Sequence, residues 1–193
     1  MTDAWYPPAD TYWVRTDEVD AYPLRHGDVV ATPDLDVCRT QKGQLWSHVV
    51  VLHPSCELGA KALADTEVVV ARVNRVTDIG AQQRASVRVG FAERDGELVV
   101  AHANTFWMPP LPGQGDDTDF YADFRRPQRV PLAALRAAGR VAAMTHDARV
   151  YLIRRELYFR YRWLTTVDDI RQLEAVRIAG DPHFVGPRPG WAQ

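Results

Sequence analysis

Two runs rich in β-branched residues constrain the fold of this 193-residue chain more than any other feature. Residues 48–53 read His-Val-Val-Val-Leu-His, and residues 67–73 read Glu-Val-Val-Val-Ala-Arg-Val. Runs of this length and composition are typical of strands that are buried on both faces of a sheet. In the first run, strict alternation puts the even-numbered residues on one face and the odd-numbered ones, with His53, on the other.

Turn signals divide the middle of the chain into further short strands. We predict these strands at residues 29–32, 85–91, 98–102, 120–124 and 129–130. The Asp-Gly pair at residues 95–96 indicates a hairpin, because glycine adopts a positive φ at little cost. Residues 107–119 are rich in proline and glycine and then acidic, so we expect an exposed loop there.

Helical patterns replace the strands in the last third of the chain. A short helix from Pro131 is closed by Gly139, and a longer helix over residues 146–164 follows the N-cap Thr145. A further helix is predicted over residues 168–180. Helices collected after five or six short strands indicate an α+β fold with a small, strongly bent or barrel-like antiparallel sheet.

We therefore divide the chain into four parts. These are an aromatic, proline-rich arm over residues 1–23, a barrel-like core over 24–130, a helical part of the same domain over 131–182, and an extended tail over 183–193. No apolar run approaches the ~18 residues of a membrane span, and the N-terminus lacks a secretory signal. Two cysteines are too few for a disulfide scaffold, so we predict a cytoplasmic protein without a membrane partner.

The end of the first β-branched run carries the strongest candidate site. Its reactive residues are His53, Ser55, Cys56 and Glu57. A strand that leads into a proline-broken loop is a rigid platform for such groups. A histidine beside a thiol lowers the thiol pKa and raises its thiolate fraction, which suits Cys56 to nucleophilic catalysis with His53 oriented by Glu57.

Two alternatives stay open for this segment. His48, His53 and Cys56 are zinc-type ligands, although their spacing matches no zinc motif. A buried structural cysteine beside a turn-forming Pro-Ser pair requires no ligand at all. We predict neither a metal nor a cofactor, and we expect His48 to contribute to ligand binding.

A second constellation is the helix that begins at His146, where arginines alternate with aromatic residues. Arg155 and Arg162 lie seven positions apart and so share a face, with Tyr158 among the interleaved rings. Guanidinium groups bind phosphates and rings stack on bases, which indicates a nucleic acid partner. Three earlier arginines would extend this patch: Arg125, Arg126 and Arg129. The alternative is a packing helix with solvated or acid-paired arginines, which the net charge of −2 favours.

Residues 27–76 resemble the opening of the small SH3-like barrels of the MazF/PemK toxin family. The matching elements are the strand start Gly27-Asp28-Val29-Val30, a basic loop with Arg39 and Lys42, and the runs at residues 48–53 and 67–73. Members are metal-independent endoribonucleases, so the resemblance implies an SH3-like barrel with catalytic roles for Arg39 and Ser55. Two features depart from the family: Ser47-His48 replaces an Arg-Pro pair, and the helical C-terminal part has no counterpart.

Three functions are consistent with these patterns. The preferred one is a small enzyme or ligand-binding protein with a Cys/His site at residues 53–57, acting on a small molecule. The second is a nucleic-acid-binding protein or endoribonuclease of the MazF/PemK kind. The third is a non-enzymatic interaction module. Its aromatic arm and C-terminal helices would mediate self-association into a homo-oligomer or the docking of a partner.

Overall fold

The computed structural model of this chain gives bounds for eight strands and two α-helices. In chain order the strands are β1 (Val29–Ala31), β2 (His48–Val51), β3 (Glu67–Arg75), β4 (Phe91–Arg94), β5 (Glu97–Val100), β6 (Thr105–Met108), β7 (Phe120–Pro131) and β8 (Arg140–Ala142). The helices are α1 (Leu132–Ala138) and α2 (His146–Tyr161). The structure describes residues 11–15, 18–19, 23–59, 63, 65–81, 83–84, 87, 91–94, 97–100, 104–114 and 118–161. None of the helices in these ranges has the length and apolar character that a bilayer span requires.

Six strands form one antiparallel sheet in the order β6-β7-β3-β2-β1-β8, and β4 pairs with β5 as a separate hairpin. The predicted α+β class is therefore confirmed. The sheet is open, because β6 and β8 are its two edges and do not pair with each other in the described part of the chain. Strand pairing thus does not close the sheet into a barrel.

A short segment of the N-terminal arm contacts both edges of the open sheet. Trp13 forms an isolated antiparallel bridge with Met144, which follows β8. The neighbouring Tyr12 is fully buried, and its hydroxyl donates a hydrogen bond of 3.0 Å to the carbonyl of Trp107 in β6. The arm therefore joins two edges that backbone pairing leaves apart.

Alternation along β2 gives the sheet two apolar faces, as predicted. Val50 and Leu52 pack in one cluster with residues of β6, β7 and α2, and this side is called the α2 face. Val49 and Val51 pack in the other cluster with residues of α1, and this side is called the α1 face. Both faces of β2 are buried because a helix covers each side of the sheet.

The strand predicted at residues 85–91 is wrong at Val87, and the rest of that segment before Phe91 lies outside the described residues. Val87 is helical and buried, and β4 begins only at Phe91. Val87 packs against Val76 and Tyr121, so tertiary burial outweighs the β propensity of this valine.

The exposed loop predicted at residues 107–119 is also wrong at its start. Trp107 and Met108 belong to β6, and Met108 and Leu111 are buried. The indole Nε1 of Trp13 donates a hydrogen bond of 2.9 Å to the Pro110 carbonyl, so the proline-rich segment lies against the N-terminal arm. The two strands predicted at residues 120–124 and 129–130 form the single strand β7.

The turn before β1 depends on Gly27. This residue has a φ of +84°, and its N–H donates a hydrogen bond of 2.8 Å to the carbonyl of Val51 at the end of β2. A Cβ at this position would lie 2.7 Å from the Cγ of Arg149 in α2. Glycine thus allows the left-handed turn and its close contact with the helix.

We expect Gly27→Ala to destabilise the fold more than Gly43→Ala. Both positions have a similar positive φ, +84° and +78°, which costs an alanine about 1–2 kcal/mol. No described atom lies within 4 Å of a Cβ at Gly43, whereas Arg149 must move to admit one at Gly27. Urea unfolding should show a free energy of unfolding at least ~1 kcal/mol lower for G27A than for G43A. Equal losses in the free energy of unfolding for the two variants would show that the Arg149 side chain moves away from a Cβ at position 27 without a cost in stability.

Candidate nucleic-acid interface and buried polar sites

A cleft of about 580 Å³ opens beside the sheet, between the loop that precedes β2 and strand β7. This volume lies in the range of about 300–1,000 Å³ that is usual for ligand sites. Five cationic side chains and one carboxylate line the cleft: Arg39, Lys42, Arg72, Arg125, Arg126 and Asp123. The cleft is therefore locally basic, although the whole chain carries a net charge of −2.

The cleft begins where the apolar residues of the α1 face end. Along β3, Val68 and Val70 pack on this face, and the next two residues on the same side are Arg72 and Asn74. Trp46 belongs to the apolar cluster and also borders the cleft. Arg72 is half-buried, and its Nε is buried with no hydrogen-bond partner among the residues described.

Strand β7 bulges where it borders the cleft. Its register against β3 shifts between Asp123 and Gln128, so that residues 124–127 lie opposite one residue of β3. A bulge of this kind redirects side chains. Arg125 and Arg126 are consecutive and yet both line the cleft, which the alternation of a regular strand would not allow.

Asp123 is bound to one of the cations of the cleft. Its Oδ1 accepts hydrogen bonds from the Arg125 backbone N–H at 3.0 Å and from the Arg125 Nε at 2.9 Å. Burial acts to raise the pKa of Asp123, but hydrogen bonds from Arg125 and the charge of Arg72 outweigh it. The pKa of this carboxyl consequently lies below its ordinary value, and Asp123 is ionised.

The remaining cations differ in their pairing. Arg39 binds Asp34 through its guanidinium and donates a hydrogen bond of 3.0 Å to the Gly43 carbonyl, which holds it in the loop before β2. Within the described ranges, no carboxylate pairs with Lys42 or Arg126. These two exposed cations are the ones most available to an anionic ligand.

The predicted site at residues 53–57 lies at the opposite end of β2 from Arg39. His53 Nε2 lies 2.8 Å from the Glu57 carboxylate, and His53 Nδ1 is 3.5 Å from the Val69 N–H. Because a backbone N–H can only donate, Nδ1 is the acceptor and Nε2 carries the proton toward Glu57. Both ring nitrogens are therefore engaged within the protein.

Ser55 joins this loop to the turn before β1. Its Oγ accepts a hydrogen bond of 3.0 Å from the His26 backbone N–H. The backbone of Cys56 lies in a short 3-10 turn over Ser55–Glu57, but the Cys56 side chain lies outside what the structure describes. Arg39 and Ser55 are thus not neighbours in the cleft, and the nucleophilic role of Cys56 stays a prediction.

His48 lies on the α2 face of the sheet. Its ring is edge-on to Phe120, with 6.1 Å between the ring centroids. Burial, and then the positive charge of Arg75, lowers the pKa of His48. His48 does not line the cleft, so its binding role also stays a prediction.

The arginines of α2 mostly bind within the protein. Arg155 is 3% exposed, and its Nε donates a hydrogen bond of 3.0 Å to the Thr105 carbonyl of β6. Arg160 Nη2 lies 2.6 Å from the carboxylate of Glu156. These contacts favour a packing helix over a nucleic-acid-binding one. Two predicted binding groups lie outside the described part: the Tyr158 side chain and Arg162.

A buried ionisable cluster, which the sequence did not reveal, lies between the turn before β1 and α2. Asp28 is fully buried, and its Oδ2 is 3.0 Å from Arg140 Nη1 and 2.8 Å from the Arg25 backbone N–H. His26 is 8% exposed, and its Nε2 lies 3.8 Å from the Glu156 carboxylate. The sequence indicates only a turn before β1. Local residue patterns do not show that α2 covers this turn, so they do not reveal that its polar residues are buried.

Burial shifts two pKa values of this cluster in opposite directions. Burial, reinforced by the charge of Arg149, lowers the pKa of His26 to about 4. Burial raises the pKa of Asp28 to about 6, although Arg140 and Arg25 oppose the shift. At neutral pH, His26 is therefore neutral and Asp28 is charged.

These shifts predict opposing effects of pH on stability between pH 4 and 6. In this window the unfolded chain binds more protons at His26 than the folded chain does, so the contribution of His26 to the free energy of unfolding rises with pH. At Asp28 the folded chain binds more protons, so the contribution of Asp28 falls with pH. Relative to the wild type, the free energy of unfolding should rise across the window for Asp28→Asn and fall for His26→Gln. Each change should be on the order of 3 kcal/mol, measurable by urea unfolding at several pH values. Parallel profiles for all three proteins would contradict this assignment.

No group of three or more His, Cys, Asp or Glu residues in the described ranges is placed to hold a metal ion. Comparison with models of known protein families and with curated protein sequences found no match to this chain. The cleft and the loop after β2 are therefore the features from which function is inferred.

Proposed function

We propose that this chain binds single-stranded nucleic acid through its phosphodiester backbone, in the cleft between the loop before β2 and strand β7. The observation that carries the proposal is the convergence of five cations around one carboxylate in a volume of about 580 Å³. A guanidinium group can bind two phosphate oxygens at once, and the ammonium of a lysine adds a point charge on a flexible side chain.

The distribution of the cations supports a strand that lies along the cleft. Arg39 and Lys42 come from the loop, Arg126 comes from the β7 bulge, and Arg72 lies between them on β3. A ligand between these walls meets positive charge on both sides. Duplex grooves are read by convex elements such as helices, whereas a concave basic cleft accepts a single strand.

The lining favours binding over cleavage. Among the described residues that line the cleft there is no His, Cys or Ser, and its carboxylate, Asp123, is bound to Arg125. The resemblance of residues 27–76 to MazF/PemK proteins agrees with a nucleic acid ligand. The endoribonuclease activity that it implies would require Arg39 and Ser55 at one site, and they lie at opposite ends of β2.

The test is binding of a labelled single-stranded oligonucleotide of about 10 nucleotides, measured by fluorescence anisotropy over a range of salt concentrations. Arg126→Ala should weaken binding and reduce the slope of log K against log salt by about 0.7, the value for one lost phosphate contact. Arg129→Ala is the matched control, because it removes the same charge from the same strand at a residue that does not line the cleft. It should leave affinity and slope unchanged.

Two results would contradict the proposal. The first is absence of binding at about 50 mM salt, where phosphate contacts are strong. The second is an equal loss for R126A and R129A, which would indicate diffuse attraction to surface charge.

The loop at residues 53–57 supports a second candidate, a reactive cysteine site, because His53 and Glu57 are in contact there. If Cys56 is activated, iodoacetamide should modify it at neutral pH faster than Cys38. Cys38 is the internal reference, since it is buried and its burial raises the pKa of its thiol. Mass spectrometry should show that His53→Ala slows modification of Cys56, and slow labelling of both thiols in the wild type would contradict this candidate.

A further inference from the structure

The carboxylate of Asp123 lies in a cleft whose other charged residues are cations. Asp123 is opposite Arg72 in the pairing of β7 with β3, and its side chain is 16% exposed. Its negative charge opposes the binding of phosphates, so its presence requires another explanation.

Asp123 binds both the main chain and the side chain of Arg125. Oδ1 accepts from the Arg125 backbone N–H at 3.0 Å and from Nε at 2.9 Å, and Oδ2 accepts from Nη2 at 2.5 Å. The first contact is of the Asx-turn type, in which an Asp side chain accepts from the N–H two residues later. The others form the two-pronged Arg–carboxylate pair.

The same contacts stabilise the β7 bulge that carries two cations of the cleft. Phe124 is buried, and its N–H donates a hydrogen bond of 2.9 Å to the Asn104 carbonyl, which anchors one end of the bulge. Pro127 has no N–H. Between these two residues, the turn at Arg125 is supported by the Asp123 carboxylate, and it leaves Arg125 and Arg126 exposed at the cleft.

We propose that Asp123 is a positioning residue of the cleft, which fixes the backbone turn that presents Arg125 and Arg126 to the phosphates of the ligand. This inference rests on the proposed binding of nucleic acid. It predicts that ligand affinity depends on a hydrogen-bond acceptor at position 123 more than on the charge there.

Asp123→Asn and Asp123→Ala separate these two contributions. Both variants remove the charge, but the asparagine amide oxygen can still accept from the Arg125 N–H. We expect D123N to bind the labelled oligonucleotide at least as tightly as the wild type. D123A should bind it about fivefold more weakly than D123N, the factor for one net hydrogen bond.

Asp34 provides the matched control pair. It also binds a cleft arginine, but its contact in the described structure is with the Arg39 guanidinium and not with a backbone N–H. Asp34→Asn and Asp34→Ala should therefore bind the oligonucleotide with equal affinity. A difference between D34N and D34A as large as that at position 123 would overturn the inference.

Hydrogen exchange of the Arg125 amide supplies a readout that does not need the ligand. Exchange should be slow in the wild type and D123N, and at least about tenfold faster in D123A, since a lost hydrogen bond exposes the amide to solvent. If the wild type binds no oligonucleotide, the proposed function fails, and the exchange rates still decide whether Asp123 fixes the turn.

Equal affinities of D123N and D123A, with equal exchange rates at Arg125, would overturn the inference. If D123A does not fold, Asp123→Ser takes its place, because the serine hydroxyl is a shorter acceptor with a poorer reach to the same N–H. D123S should then bind more weakly than D123N and exchange faster at Arg125, and the absence of both differences would equally overturn the inference.

Discussion

The change of residue type along one face of β3 is the constraint on which the interior and the cleft both depend. Val68 and Val70 are buried under α1, and each such burial contributes about 1.5–3 kcal/mol. Arg72 is the next residue on that face. It cannot continue the apolar layer, because burial of an unpaired charge costs far more free energy than the packing of a valine contributes. The apolar layer therefore ends at Arg72, which lines the cleft.

The position of β3 extends this effect to the rest of the sheet. β3 pairs with β2 on one side and with β7 on the other, so a polar residue on β3 faces the loop that leads into β2 and the bulge of β7 at once. The bulge then adds Arg125 and Arg126 to the same cleft. Arg72, in a valine-rich strand, thus lies in the same cleft as the cations of the loop and of the bulge.

A second set of contacts joins the turn before β1 to α2, to β8 and to the loop after β2. Gly27 allows Arg149 to approach the turn, Asp28 binds Arg140 of β8, and Ser55 accepts from His26. Loss of one partner of a buried ion pair leaves an uncompensated charge and costs about 3–5 kcal/mol. This end of the sheet is consequently held by polar contacts that also position the loop with His53. The cleft and that loop are separate sites, because β2 lies between them.

Much of the fold could be predicted from local patterns. The valine runs predicted two strands with both faces buried. Thr145 predicted the start of α2, and in the structure its Oγ1 lies 3.5 Å from the Ala148 N–H. The bulge in β7 was not visible, because an arginine pair before Pro127 reads as the end of one strand and the start of another. β6 was missed because Trp107 and Met108 adjoin a proline-rich segment that is usual in exposed loops.

The candidate site was predicted only in fragments. The family resemblance points to Arg39, and the sequence pattern groups Arg125 and Arg126 with the arginines of α2, whereas in the structure all three line the cleft beside β3. The sequence by itself determined that β2 and β3 are buried strands, since the alternation of apolar side chains is a local property of the chain. Only the tertiary structure decided that Arg39, Arg72 and Arg126 share one cleft, because strand register and the β7 bulge depend on contacts between residues that are distant in sequence.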